Sequence, residues 1–193
     1  MEHPVIISGG GIIGCYVHLR LKQAGISSQI IEKGPSLTSL SSNIRTISLN
    51  PSTYKLLLEI GIELESASIE TIKVSDGDGS GKIQFTANEV DEEALSHVAM
   101  FNELLEKIQD KASNAIQFES EIISVSKLDK LTKITLSNNC ELQTSLLIGS
   151  DGRNSPVAQL SNFISKTNDY KQTAFTFLAK EASDDNNSTA IQI

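Results

Sequence analysis

Apolar residues come in short bursts along this chain, and the spacing inside each burst assigns it to a strand or a helix. Val5-Ile6-Ile7 is a β-branched run with almost no sequence before it, which predicts a buried parallel strand. A helix is expected from about Ile12 to Ala24 with Gly25 closing it, and Gln29-Ile30-Ile31-Glu32 reads as a second strand ending in a carboxylate. Asn50 has the character of an N-cap, with Pro51 at the first helical position, Tyr54, Leu57 and Leu58 as an apolar stripe and Gly61 as terminator. Alternation in Thr71-Ile72-Lys73-Val74 and Lys82-Ile83-Gln84-Phe85 predicts a hairpin around Asp76-Gly77-Asp78-Gly79-Ser80-Gly81. Leu104, Leu105 and Ile108 mark a helix over 102–111. Short strands are expected at 116–118, 121–125 and 133–136, with a turn at 137–139. The continuous run Leu146-Leu147-Ile148 suits a central parallel strand buried on both faces.

The first strand and first helix are joined by Gly9-x-Gly11-x-x-Gly14, and Glu32 ends the next strand 18 residues beyond Gly14. Alone, that glycine pattern is a weak signal that a Gly-rich turn can imitate. Inside a strand–turn–helix–strand unit it is the fingerprint of an adenine dinucleotide site. Gly9 permits the tight turn, Gly11 lets the backbone approach a pyrophosphate, and Gly14 lets helix and strand pack closely. The pyrophosphate then meets the first-turn amides, those of Ile12 and Ile13 among them, at the positive end of the helix dipole. Glu32, followed by Lys33, is placed to accept both hydroxyls of a ribose; its charge repels a 2′-phosphate, favouring FAD or NAD over NADP. The loop Gly149-Ser150-Asp151-Gly152-Arg153-Asn154-Ser155 leaves the Leu146–Ile148 run, and by the switch-point rule such strand-end loops face the ligand crevice.

Composition narrows the alternatives. The 193 residues can bury one good core, or one domain and the start of another. A formal charge of −8 without a basic cluster argues against a nucleic-acid surface. No window approaches 18 apolar residues, and the N-terminus lacks the pattern of a signal peptide, so a cytoplasmic chain is expected. Cys15 and Cys140 have no C-x-x-C spacing and read as inert thiols, while His3, His18 and His97 are scattered singly. Neither a metal centre nor a nucleophilic enzyme is indicated. The Asp76–Gly81 loop lacks the ligand spacing of a calcium loop.

Taken in order, Gly9-x-Gly11-x-x-Gly14, Glu32, Asn43-x-Arg45-Thr46, Val74-x-Asp76 and Asp151-Gly152-x-x-Ser155 resemble the class A flavoprotein monooxygenases of the para-hydroxybenzoate hydroxylase fold. The branch they most resemble is the ubiquinone-biosynthesis hydroxylases. The resemblance implies an α/β, Rossmann-like FAD/NAD(P)-binding fold: an FAD-binding domain over 1–165 with an inserted hairpin at about 70–90, then the start of a substrate-domain sheet over 166–193. Tyr170–Phe177 would be the first strand of that sheet. It implies FAD as cofactor, held by Gly9, Gly11, Gly14 and Glu32, with Arg45 on the flavin-side phosphate or ribityl and Asn102 near the flavin. Asp151 and Gly152 would support the pyrophosphate region and the docking of NAD(P)H as electron donor. A phenolic, polyprenylated substrate is implied, as is association with the inner-membrane periphery or a ubiquinone-biosynthesis complex.

The family's second Gly-Asp motif does not occur before Ile193, so the chain is expected to be a truncated N-terminal half, inactive without its missing C-terminal half. Two further readings stay open on the residues alone. One is an NAD-dependent oxidoreductase, the other a non-catalytic dinucleotide-binding fragment.

Overall fold

A computed structural model describes residues 3–36, 44–177, 179 and 188–193. Two compact units share the chain: residues Met1–Ser41 with Leu105–Thr173, and Ser42–Leu104 with Ala174–Ile193. These boundaries cut the chain at other places than a division at 165/166.

In the first unit, strand β1 (Val5–Ser8), helix α1 (Ile12–Gln23) and strand β2 (Ser28–Ile31) follow one another, and β1 and β2 pair in parallel. The sheet is four-stranded and wholly parallel, in the order Leu147–Gly149, β1, β2, Ile116–Gln117. Ile6, Ile7, Ile30 and Ile31 are fully buried in it, as expected of strands covered on both faces. Burying each of these side chains stabilises the fold by roughly 1.5–3 kcal/mol. A three-stranded antiparallel meander, Ile122–Leu128, Leu131–Leu136 and Glu141–Thr144, packs Ile122, Ile134 and Leu136 into one cluster with Ile6, Ile31 and Val157. The 146–148 run departs from expectation. Its strand is Leu147–Gly149, it lies at the sheet's edge rather than its centre, and Leu146 is 50% exposed. Only one side of that strand, through Leu147, reaches the apolar cluster, so the continuous run overstated its burial.

The second unit holds an antiparallel sheet of Thr46–Leu49, Ser96–Met100 and Ser66–Ile69. The helix Pro51–Glu59 follows the first of these strands, with Leu57 buried and Tyr54 stacked on His97 at a 4.0 Å centroid distance. Leu58, expected in the stripe, is 42% exposed, because the inward side of the helix carries Tyr54 and Leu57 instead. The hairpin forms as Thr71–Ser75 and Lys82–Thr86, and Thr189–Gln192 joins it in parallel beside Thr71–Ser75. Tyr170–Phe177 forms no strand. Tyr170, Phe175 and Phe177 are 81%, 88% and 77% exposed, and no strand among the described residues pairs with them, without which an extended segment has no ladder to join. Asn43 and residues 37–42 of the polar loop lie outside the described residues.

Candidate dinucleotide site

Each fingerprint glycine answers to a different neighbour. Gly9 has φ +101°, and a Cβ there would come within 2.5 Å of the Ser150 carbonyl oxygen, so both the backbone angle and the close approach require glycine. A Cβ on Gly14 would overlap the Gly9 carbonyl oxygen, which is the close helix–strand contact the fingerprint anticipates. A Cβ on Gly11 would meet no protein atom within 4 Å. Protein packing therefore explains two of the three glycines, and the third borders open space.

Helix α1 begins at that third glycine. Gly11 is its N-cap, no side chain caps it, and its first turn carries no acidic residue. The first-turn amides of Ile12, Ile13 and Gly14 thus keep the donors that a cap would take. Around this turn Gly9, Gly11, Glu32, Lys33, Asp151 and Gly152 line one cavity of about 240 Å³, with Ser8, Ser120 and Ser150 also in its wall. That volume is below the roughly 300–1,000 Å³ usual for small-molecule sites, so it suits one portion of a dinucleotide.

Both oxygens of Glu32 are already engaged. Oε2 accepts the Gly10 N–H and Oε1 the Gly34 N–H, each at 2.6 Å. Each oxygen keeps a second lone pair for a hydroxyl donor, and its orientation is set before any ligand arrives. Asp151 Oδ2 accepts the Val157 N–H at 3.0 Å, while Oδ1 is buried and has no hydrogen-bond partner among the described residues. A buried carboxylate oxygen without a donor is costly. Ser150 Oγ donates toward the Ser8 and Gly9 carbonyls at 2.8 and 3.1 Å, tying this loop to the glycine turn.

Arg45 and Asn102 belong to the second unit. Arg45 is exposed, with its guanidinium 4.4 Å from the centroid of the Phe101 ring, and Asn102 is half-buried in the first turn of the helix Phe101–Ala112. Ser150 lies in the loop that the sequence places at the crevice, whereas Ser120, Gln109 and the Gly10 peptide carry no such signal. A polar residue beside the buried Ile108 is what any amphipathic helix shows, so nothing in the sequence signals the bond that Gln109 makes. Cys15 is buried, and burial with the nearby Glu32 charge pushes its thiol up to about 12, which fits the inert reading. Burial and Lys22 push the His18 imidazole below its ordinary value, and its Nδ1 lies 2.8 Å from Ser28 Oγ.

This geometry coincides with a sequence match to the FAD binding domain over residues 2–188. The chain belongs to that family. It is 30% identical to Monooxygenase 1 of Arabidopsis thaliana, across 81% of this chain and 40% of that protein. It is 26% identical to the mitochondrial ubiquinone biosynthesis monooxygenase COQ6 of Caenorhabditis elegans, across 98% of this chain and 47% of that protein. The chain thus spans less than half the length of these relatives. The fold matches p-nitrophenol 4-monooxygenase PnpA from Pseudomonas putida with a TM-score of 0.69 at 17% identity, over 84% of this chain and 44% of that one. The α/β FAD-binding fold is therefore as expected, and the resemblance to flavoprotein monooxygenases holds at the level of family.

The residues fit the ADP portion of FAD. The uncapped turn offers donors to phosphates, Gly11 leaves room for them, and Glu32 offers acceptors to a ribose.

Proposed function

We propose that this chain is the FAD-binding portion of a flavin-dependent aromatic-ring hydroxylase acting on a polyprenylated phenol of ubiquinone biosynthesis, with NAD(P)H as electron donor. The observation that carries the cofactor assignment is the uncapped start of α1 opening on a cavity that also holds Glu32 and Asp151. The likeness to the ubiquinone-biosynthesis relative supports the substrate class.

In this reading the amides of Ile12, Ile13 and Gly14 bind the pyrophosphate, Gly11 leaves it space, and Glu32 orients the ribose. Asp151 and Gly152 border the same cavity, beside the glycine turn. Arg45 and Asn102 serve the flavin side. FAD supplies the electron transfer and oxygen activation that protein side chains lack. Hydroxylation also requires a water-excluding pocket over the flavin ring. We propose that the 193 residues bind the cofactor without supplying that pocket, so that this chain alone does not hydroxylate.

Calorimetric titration with ADP, NAD and FAD tests the cofactor assignment: FAD should bind more tightly than ADP, and Arg45→Ala should weaken FAD more than ADP. Equal loss for both ligands removes Arg45 from the flavin side. Tighter binding of NAD than of FAD would favour the dehydrogenase reading, since Glu32 suits any adenosine ribose without a 2′-phosphate. For the reaction, the chain is loaded with FAD, NAD(P)H and a polyprenylated phenol. Hydrogen peroxide without hydroxylated product is expected, and stoichiometric product by mass spectrometry would show the chain to be complete in function.

A further inference from the structure

Three consecutive glycines, Gly9-Gly10-Gly11, make the most flexible kind of backbone, yet a phosphate-binding turn must hold its amides in one orientation. The fingerprint accounts for Gly9 and Gly11 and leaves Gly10 without a task. In the structure the Gly10 peptide is the best-anchored part of the turn. Its N–H donates to Glu32 Oε2 at 2.6 Å, and its carbonyl accepts from Gln109 Nε2 at 2.7 Å and from the Cys15 thiol at 3.3 Å. A stiffer residue cannot replace Gly10 freely, because a Cβ there would lie 3.0 Å from the Glu32 Cβ and 3.2 Å from its Cγ. Rigidity that a side chain at this position would ordinarily confer has to come from outside the turn.

Gln109 is the most telling of these anchors. It lies on the helix Phe101–Ala112 one residue after Ile108, on the flank of a stripe formed by Leu104, Ile108 and Ala112. Its Oε1 is buried with no partner among the described residues. Because a carbonyl only accepts, the side-chain amide must present its NH2 to Gly10, which leaves Oε1 on the side where no donor is available. Packing alone would not favour a glutamine with an unpaired oxygen. The bond to Gly10 accounts for it.

We propose that Gln109 is a positioning residue for the dinucleotide site: with Cys15, it fixes the Gly10 peptide so that the first-turn amides of α1 stay turned toward the pyrophosphate. This inference rests on the FAD-binding reading and adds to it a residue that touches no ligand atom. Losing the anchor frees the glycine turn before binding, and the ligand must then order it. A net loss typical of one hydrogen bond corresponds to an affinity about tenfold weaker.

The test uses Gln109→Leu, which keeps the apolar volume and removes the donor, with Gln109→Met as a second variant should the first aggregate. Three quantities are read on the 193-residue chain: ADP affinity by calorimetry, amide hydrogen exchange at Gly10 and Gly11 without ligand, and the melting temperature. The expected result is about tenfold weaker ADP binding and about tenfold faster exchange at the turn, with the melting temperature nearly unchanged. Gln109→Glu, which sets a carboxylate against the Gly10 carbonyl, should lose more. A variant with lowered melting temperature but unaltered turn exchange and ADP affinity would mark Gln109 as structural and overturn the inference. Unchanged affinity against a binding wild type overturns this inference alone, whereas a wild type that binds neither ADP nor FAD overturns the dinucleotide reading and this inference with it.

Discussion

Helix α1 opens on Gly11 with no capping side chain, whereas the helix Pro51–Glu59 opens on Asn50, whose Oδ1 accepts the Thr53 N–H at 2.7 Å. The short helix Pro156–Leu160 follows the second pattern, with Ser155 Oγ accepting from Ala158 N at 3.0 Å. A cap of this kind stabilises a helix by about 1 kcal/mol. At α1 the chain forgoes that stabilisation, and the amides it leaves open are the ones an anionic ligand would use. Side chains are spent there differently, on Gly10 behind the turn rather than on the donors in front of it. A helix start with donors left unpaired while the peptide behind it is clamped has the form of a binding device; a helix start closed by its own side chain is a structural one.

Substitutions can break that contrast, and the largest effect is expected at Gly14. Gly14→Val drives a side chain into the Gly9 carbonyl, so it should cost several kcal/mol, on the order of the severe class of point mutations, and abolish ADP binding. Thermal unfolding and calorimetry check both.

Gly11→Asp sharpens the comparison, because it gives α1 the kind of cap that Asn50 gives its helix. A Cβ at this position meets no protein atom within 4 Å, so the melting temperature should hold or rise slightly. ADP and FAD affinity should fall at least a hundredfold, since the carboxylate takes the amides and repels phosphate. Retained affinity would mean that the open helix start is not the phosphate site.

Glu32→Gln should weaken ADP by about ten- to a hundredfold, from the loss of charge-assisted bonds worth roughly 1.5–3 kcal/mol. The substitution is less innocent than its shape suggests. Gly10 and Gly34 donate one N–H to each oxygen, so a side-chain NH2 must confront one of those donors, and stability should drop along with affinity. Measuring both separates the contributions: if stability is unaltered, the two backbone bonds do not preorganise the site.

The smallest effect belongs to the closed helix. Asn50→Ala should lower stability by about 1 kcal/mol in denaturant unfolding and leave ADP affinity where it was. A matching loss of affinity would erase the distinction between the two kinds of helix start.

Much of this is legible in the sequence. The fingerprint, the strands around it, the Asn50 cap and the 71–86 hairpin depend on neighbours a few residues apart, where spacing and residue type carry the information. Readings that needed a distant partner fared worse. The 146–148 run looks central because it is apolar throughout, but strand order is a property of the sheet, and the sheet places it at an edge. Tyr170–Phe177 has a strand-like composition and no strand to pair with among the described residues, whereas Thr189–Gln192, unremarked in the sequence, pairs with Thr71–Ser75. Family membership thus follows from sequence alone, because a glycine turn states its requirement locally. That Gly11 faces open space, that Glu32 is already held by two amides, that Asp151 Oδ1 has no partner among the described residues and that Gln109 clamps Gly10 was decided only by the tertiary structure. Each depends on atoms brought together from positions as far as 99 residues apart, and no periodicity along a chain encodes which distant groups will meet.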